Sequence, residues 1–375
     1  MHKLSLRIID NLADFPVDRW NALAGDDPFL AHAFLHALQA SGCATAPMGW
    51  QAQFISLWQG EHLMGAMPLY LKMNSYGEFV FDFAWADAYQ RHGLRYYPKL
   101  VCSVPFSPIT GCRLLAETAA VKKQLLEHAL VFAQEMGVSS LHCLFLNAAE
   151  ALEAESQSML MRQDVQFHWH NPGYRDFDDF LSTLTRDKRK RIKQERRKVQ
   201  EAGIELQCLS GEQMRAEHWE FFARCYLNTL QQRHSPPQLN ADFFRRIGAS
   251  MADQSLLVIA LRAGRPIAGA LNMRNAENLY GRSWGCFEFH SGLHFEACYY
   301  QAMEFCIANK IKVFEGGAQG EHKLARGFLP TLTRSAHWLA HPQFARAVED
   351  YLRREGGAIS DYCAELQERS PFKKE

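Results

Sequence analysis

The sequence predicts an α/β fold made of two tandem copies of one module, each with helices packed on a mixed sheet. Three observations predict it. The chain has 375 residues, a length at which one core gives way to about two domains. "FISLWQGEHLMGAMPLY" (54–70) and "VIALRAGRPIAGALNMR" (258–274) align without gaps at an offset of 204, matching Gly60 with Gly264, Leu63 with Ile267, Gly65 with Gly269 and Ala66 with Ala270. A helical run followed by a short strand-like run also recurs about 173 residues apart, as "QLLEHALVFAQEMGVSSLHCLFL" and "YYQAMEFCIANKIKVFEGG".

Each element has its own warrant. "VDRWNAL" and "AEHWEFF" set Trp20 and Trp219 in helical patterns ahead of the two hairpins. In each hairpin the first glycine supplies the tight turn, and the second lies in the returning strand, where glycine marks a bulge or a close backbone approach. The first half then carries an aromatic insertion at about 72–116, containing "FDFAWADAYQRHGLRYYPKLVCSVPFSPITG". Pro105 and Pro108 there fix a loop expected to expose Ser107 and Thr110. In the second half Tyr299, Met303 and Ile307 recur at helical spacing before the strand-like "IKVFE". The resulting domains are 1–175, 176–345 and a C-terminal helix or tail at 346–375. Two matched modules create a cleft between them, a favoured place for substrate.

Composition excludes several classes. The chain is 47% hydrophobic and 22% charged, so it can bury sizeable cores, and its formal net charge of zero argues against a general DNA-coating protein. No apolar window is long enough to span a membrane, and the N-terminus has the pattern of neither a signal nor a transit peptide. A cytoplasmic protein is expected, with its ten scattered cysteines reduced. The pairs His290/His294 and His337/His341 lack neighbouring Cys/His sets, so no metal site is expected.

Charge concentrates in "TRDKRKRIKQERRKVQEAG" (185–203), where nine Lys/Arg face two acids between Arg186 and Lys198. Leu181, Leu184, Ile192, Val199 and Ala202 form one narrow apolar stripe, with Glu195 in a gap. Three readings stay open: a solvated face, a docking surface for RNA or another polyanion through Lys188, Arg191 and Arg197, and a membrane-surface helix.

Candidate chemistry collects in the second half. Tyr280, Arg282 and Trp284 alternate in "LYGRSWGC" and are expected on one strand face, suited to an anionic or planar group. His294 and Tyr299 follow. "EGGAQGEHKLARGF" (315–328) then places glycines beside Glu315, Gln319, His322, Lys323 and Arg326. No nucleophile elbow, P-loop or dinucleotide fingerprint accompanies them.

With "PFSPITGCRLL", "RDKRKRIKQERRKV", "RPIAGALNM", "LYGRSWGC", "LHFEACYYQAMEF" and "EGGAQGEHKLARGFLP", the chain resembles the FemAB-like N-acyltransferases of the GCN5-related (GNAT) superfamily. The resemblance implies two tandem GNAT-like domains and acyl transfer to an amine, with an acceptor of peptidoglycan or amino-acid type and a donor that is either aminoacyl-tRNA or acyl-CoA. Glu315, His294, His322 and Lys323 are then the catalytic candidates. Tyr280, Arg282, Trp284, Tyr299, Gln319 and Arg326, with Asp82 and Ser107 of the first domain, are the substrate-binding ones. "CFEFHSGLHFEACYY" departs from the glycine-rich pyrophosphate loop of acetyl-CoA enzymes, which weighs against acetyl-CoA. An ordinary CoA-dependent acetyltransferase and a non-catalytic RNA-binding protein are the alternatives.

Overall fold

The computed structural model describes residues 4–317 and 320–373. They form a mixed α/β structure of two compact units, Met1–Asp164 with Leu332–Asp361, and Val165–Thr331 with Tyr362–Glu375. The partition is therefore not a cut at one position, because residues 332–361 return to the first unit.

The first half runs β1 (Ser5–Ile9), α1 (Val17–Ala24), α2 (His32–Ala40), β2 (Trp50–Ala52), β3 (Phe54–Gln59), β4 (His62–Met67) and β5 (Leu69–Lys72). It continues with α3 (Phe83–Arg91), β6 (Lys99–Cys102), β7 (Leu115–Ala116), α4 (Ala119–Glu135), β8 (Ser140–Cys143), α5 (Ala148–Ser156) and β9 (Leu160–His170). The second half runs α6 (Phe177–Thr183), α7 (Arg186–Glu201), β10 (Ile204–Leu209), α8 (Ala216–Gln232), α9 (Ala241–Ser250), β11 (Ser255–Arg262), β12 (Arg265–Arg274) and β13 (Asn278–Cys286). A helix over 293–308, β14 (Val313–Glu315), a 3₁₀ segment (Glu321–Arg326), β15 (Leu329–Leu339) and the long helix Pro342–Glu368 complete it.

Strand, two helices, hairpin, third strand, helix and strand thus occur twice, as the repeat predicts. Trp20 and Trp219 are buried in α1 and α8. Gly60 and Gly264 turn the two hairpins with φ of 61° and 72°. A Cβ on Gly65 would lie 2.7 Å from Val121 of α4, and one on Gly269 3.0 Å from Phe222 of α8, so both second glycines sit at close approaches of a helix. Polar side chains start the helices: Thr118 caps α4, Asn147 α5, Asp176 α6 and Asn240 α9.

In the second unit the strand order is β10-β11-β12-β13-β14-β9, antiparallel except for the β13–β14 pair. In the first unit β8 pairs in parallel with β6 and antiparallel with Ala336–Leu339 of β15. Apolar α4 residues such as Leu125, Leu126 and Ala129 pack on Ile55, Leu57 and Leu141 to form its core. In the second unit α8 crosses β13 so closely that a Cβ on Gly285 would lie 2.3 Å from the backbone carbon of Cys225. Gly285→Ala should therefore destabilise the protein by about 1–3 kcal/mol, read from the midpoint of a denaturant unfolding curve, because backbone rather than a flexible side chain must give way.

Candidate functional site

The site begins where two parallel strands part. β13 and β14 pair only through Asn278–Tyr280 and Val313–Glu315. Beyond that point β13 continues beside β12, with a register shift that pairs Leu271 with Ser283 and Asn272 with Gly281, leaving Arg282 as the extra, bulged residue. The bulge corrects the expectation that Tyr280, Arg282 and Trp284 share a face. Tyr280 pairs with Met273 and Trp284 with Ala270, and these β12 partners point to opposite faces. A period-2 reading assumes an uninterrupted strand, and one inserted residue inverts everything after it. Burial holds the Arg282 guanidinium down to about 10.

A groove of about 120 Å³ occupies the gap, lined by Gly281, Trp284, His294, Cys298, Tyr299 and Gly317 among others. Tyr280, Glu315, His322, Lys323 and Arg326 are not among its lining residues. The 293–308 helix supplies one wall through a π-helical turn, Glu296–Tyr300. Such turns re-aim side chains and recur at functional sites. The His294 ring lies 5.4 Å from Trp284 and 5.6 Å from Tyr299, and Tyr299 Oη is 3.1 Å from His322 Nε2. Burial holds His294 down to about 4, and burial followed by Arg326 and Lys323 lowers His322, so both imidazoles are neutral at pH 7. Lys323 is 2% exposed and donates to the Gly317 carbonyl at 2.7 Å; burial lowers it to about 8.

Arg326, expected to touch substrate, is fully buried and engaged within the chain. Its Nη2 donates to Glu195 Oε1 at 2.7 Å, Nε to Tyr300 Oη at 3.1 Å and Nη1 to the His322 carbonyl at 2.6 Å, while its guanidinium lies 3.4 Å from the Phe295 ring centroid. Tyr300 donates to the other Glu195 oxygen. Glu315 pairs laterally with Tyr280 on one side and His168 on the other, so the three side chains share a face across β13, β14 and β9. His168 Nε2 is 3.8 Å from Glu315 Oε2, and burial, then His170 and Lys323, hold its imidazole down to about 3.

Sequence reasoning missed His168. A signal existed: "HW" occurs at 168–169 and again at 337–338, and His337 Nδ1 lies 2.7 Å from His142 Nδ1 on β8, the strand equivalent to β14. Gln319 lies outside the described residues.

The first-unit candidates are also corrected. Asp82 is buried and accepts from Lys99 and, at 2.6 Å, from Tyr96 Oη, while Lys99 also donates to Glu78 at 2.8 Å. Ser107 is 2% exposed and donates to the Pro105 carbonyl at 3.0 Å. The "VPFSPITG" loop is buried because residues 103–114 fill the gap that stays open in the second unit. Gly111 bridges in parallel to Leu146, donating to the Phe145 carbonyl at 3.1 Å and accepting from Asn147 N at 3.1 Å. Arg113, 1% exposed, locks this plug by donating to the carbonyls of Leu144, Cys112 and Ile109.

The basic helix α7 buries Ile192 and Val199 and turns most of its cations outward. Arg186, Lys190, Lys193 and Arg197 lie on its exposed side, Lys188 is half-buried, and exposed Arg191 donates to Glu195 Oε1 at 3.1 Å. Arg197 lies 3.6 Å from Glu201. Inward, Arg196 binds Glu296 at 3.1 Å and Glu304 at 2.7 Å. α7 also covers the start of the 293–308 helix: a Cβ on Gly292 would lie 2.9 Å from the Glu195 carbonyl oxygen. Among the described residues no helix is long and apolar enough to cross a membrane.

Splayed parallel strands in a mixed sheet, with the element order present twice, define a tandem GNAT-like fold. The chain belongs to the FemAB-like family, described as peptidoglycan biosynthesis/recognition, whose model matches residues 11–374. Solved structures agree on the fold. FemX is 10% identical with a TM-score of 0.55, the match covering 89% of this chain and 98% of FemX. The C-terminal domain (DUF2156) of a candidate lysylphosphatidylglycerol synthetase from Agrobacterium fabrum is 8% identical with a TM-score of 0.54, covering 89% and 95%. No curated protein matches the chain.

Lys323 makes a stability test of this geometry. Its folded value of about 8 lies below the ordinary 10.5, so the buried ammonium costs stability at pH 7. Between those two values the unfolded chain holds the proton and the native state does not, so stability rises with pH. Lys323→Met should therefore be more stable than the parent at pH 7, by about 1–3 kcal/mol. The difference should shrink as pH rises from about 8 to 10.5 in denaturant titrations.

Proposed function

We propose that the chain is an N-acyltransferase that moves an acyl or aminoacyl group to the amine of a peptidoglycan-type or amino-acid-like acceptor, with the reaction in the second unit. The observation that carries this is the open groove at the β13–β14 splay, walled by Tyr299 and His294, where the equivalent gap of the first unit is filled by residues 103–114. The family's description supports the acceptor class.

The acceptor nitrogen attacks the donor carbonyl, a C–N bond forms, and the C–O bond of an ester donor breaks. The proton lost by nitrogen passes to His322 and, through Tyr299, to the leaving oxygen. Burial keeps the Tyr299 phenol protonated and the imidazole neutral, the states this transfer needs. Lys323, charged below about pH 8 and held at the Gly317 carbonyl, stabilises the developing oxyanion. Arg282 on its bulge holds an acceptor carboxylate. Glu315 with His168 supports the floor of the splay, and Arg326 positions the loop. His294 shapes the groove wall.

For the donor, aminoacyl-tRNA is favoured over acyl-CoA. The start of the 293–308 helix, where backbone N–H groups hold a pyrophosphate in CoA-dependent relatives of this fold, is crowded by α7, whose Glu195 carbonyl oxygen would lie 2.9 Å from a Cβ on Gly292. The cations of α7 offer phosphates another surface, through Lys188, Arg191 and Arg197.

Incubation with aminoacyl-tRNA or acetyl-CoA and a panel of peptidoglycan-precursor amines, read by mass spectrometry, tests the reading. Tyr299→Phe and His322→Ala should each lower kcat on the order of a hundredfold with KM little changed. Wild-type kcat should fall as pH rises through about 8, a limb that Lys323→Met lacks. Acetyl transfer with tight CoA binding would overturn the donor assignment. Strong RNA binding that is lost on charge reversal of Lys188, Arg191 and Arg197, without any acyl transfer, would leave a non-catalytic RNA-binding protein.

A further inference from the structure

We propose that Glu195 is a positioning residue that couples the outer basic face of α7 to the 320–328 loop, so that phosphates docking on that face tighten the loop. The inference rests on the reading above for its occupant, an RNA chain, and goes beyond it in assigning regulation to the site.

One carboxylate oxygen has two suitors. Glu195 Oε1 accepts from Arg326 Nη2 at 2.7 Å and from Arg191 Nε at 3.1 Å. Arg326 is fully buried, whereas the Arg191 side chain is 57% exposed on the cationic side of α7. The other oxygen is held by Tyr300 within the π-helical turn. Glu195 therefore touches an exposed cation of α7, the π-helical turn and the loop at once.

The sign follows from competition. A phosphate that captures Arg191 withdraws one of the two donors from Oε1, and the full carboxylate charge then serves Arg326. Arg326 Nη1 holds the His322 carbonyl at 2.6 Å, so a firmer Arg326 fixes the residue that meets Tyr299 Oη. Occupancy of the outer face and order in the loop are linked, and the linkage runs in both directions. RNA rather than a lipid surface fits the face, because the apolar stripe of α7, Ile192 and Val199, is buried within the unit and no apolar edge is left to enter a bilayer.

Hydrogen–deuterium exchange of the whole chain, with and without a single-stranded oligoribonucleotide at low salt, reads the coupling without an activity assay. Amides of the loop, among them Gly327 N bonded to the Leu324 carbonyl at 3.1 Å, should exchange about fivefold or more slowly with the RNA bound, the low end of ordinary coupling between sites. Arg191→Ala, a surface change that leaves the fold intact, should give slow loop exchange without RNA and no further slowing with it. Glu195→Gln should bind RNA yet show no slowing. RNA binding with unchanged loop exchange in the wild type would overturn the inference, as would a wild-type response in Arg191→Ala. No RNA binding at low salt, or equal protection by phosphatidylglycerol vesicles, would also overturn it. Coupling without acyl transfer would leave this inference standing and the enzyme reading fallen; acyl transfer without coupling would do the reverse.

Discussion

The burial of the Arg326 guanidinium is the constraint on which the second unit depends. A permanently charged group cannot be left in an apolar interior unmatched, and removing one partner of such a pair costs about 3–5 kcal/mol. Its partners come from three places: Glu195 on α7, Tyr300 on the π-helical turn and the His322 carbonyl in its own loop. The loop thus has no stable seat until α7 and the 293–308 helix are both in place. Arg196, clamped between Glu296 and Glu304 and 4.7 Å from the Phe177 ring, makes the same two helices inseparable from the other side. The chain end joins in: Thr185 N donates to the Pro371 carbonyl at 2.9 Å, and Tyr362 and Arg369 hold Glu321.

The two units show one module with its gap filled in one copy and open in the other. In the first, β8 is followed by Leu144 and Phe145, which are buried under the chain's own 103–114 segment. In the second, β14 is followed by Gly316 and Gly317. A Cβ on Gly316 would lie 2.6 Å from Phe328, so glycine is what lets the loop fold back across its own strand while the groove stays open. The segment that fills the gap in one copy has no counterpart in the open gap of the other. The buried Lys72, Glu78, Asp82 and Lys99 cluster of the first unit has no counterpart among the candidate residues of the second, and its work is to fix the inserted segment.

What was legible in the sequence followed from local rules. Periodicity and the turn glycines disclosed the hairpins, the helices and their duplication, and the charge run disclosed α7. Spacing brought His322 and Lys323 beside the splay because they follow a strand end within a few residues. What was not legible depended on events that composition does not mark. A single bulged residue reversed the faces of Tyr280 and Trp284. A proline-bearing loop that reads as exposed is buried, because the gap it fills exists only in three dimensions. Glu195, an acid in a gap of the apolar stripe of a basic helix, has a partner that no local pattern names; its tie to Arg326 spans 131 residues.

That acid also lies against the start of the 293–308 helix. In a fold that ordinarily offers a helix N-terminus to a pyrophosphate, the same residue that anchors the loop through its side chain presents its backbone carbonyl to Gly292. A carbonyl oxygen repels phosphate oxygens where free N–H groups would attract them. α7 cannot retreat to expose that helix end without surrendering the Glu195–Arg326 pair and the burial of Ile192, Val199 and Leu293. The outer face of the same α7 carries the exposed Arg186, Lys190, Arg191, Lys193 and Arg197. The helix that covers this helix end also carries the exposed cations, and the covered helix end and the seating of the loop are consequences of one packing arrangement.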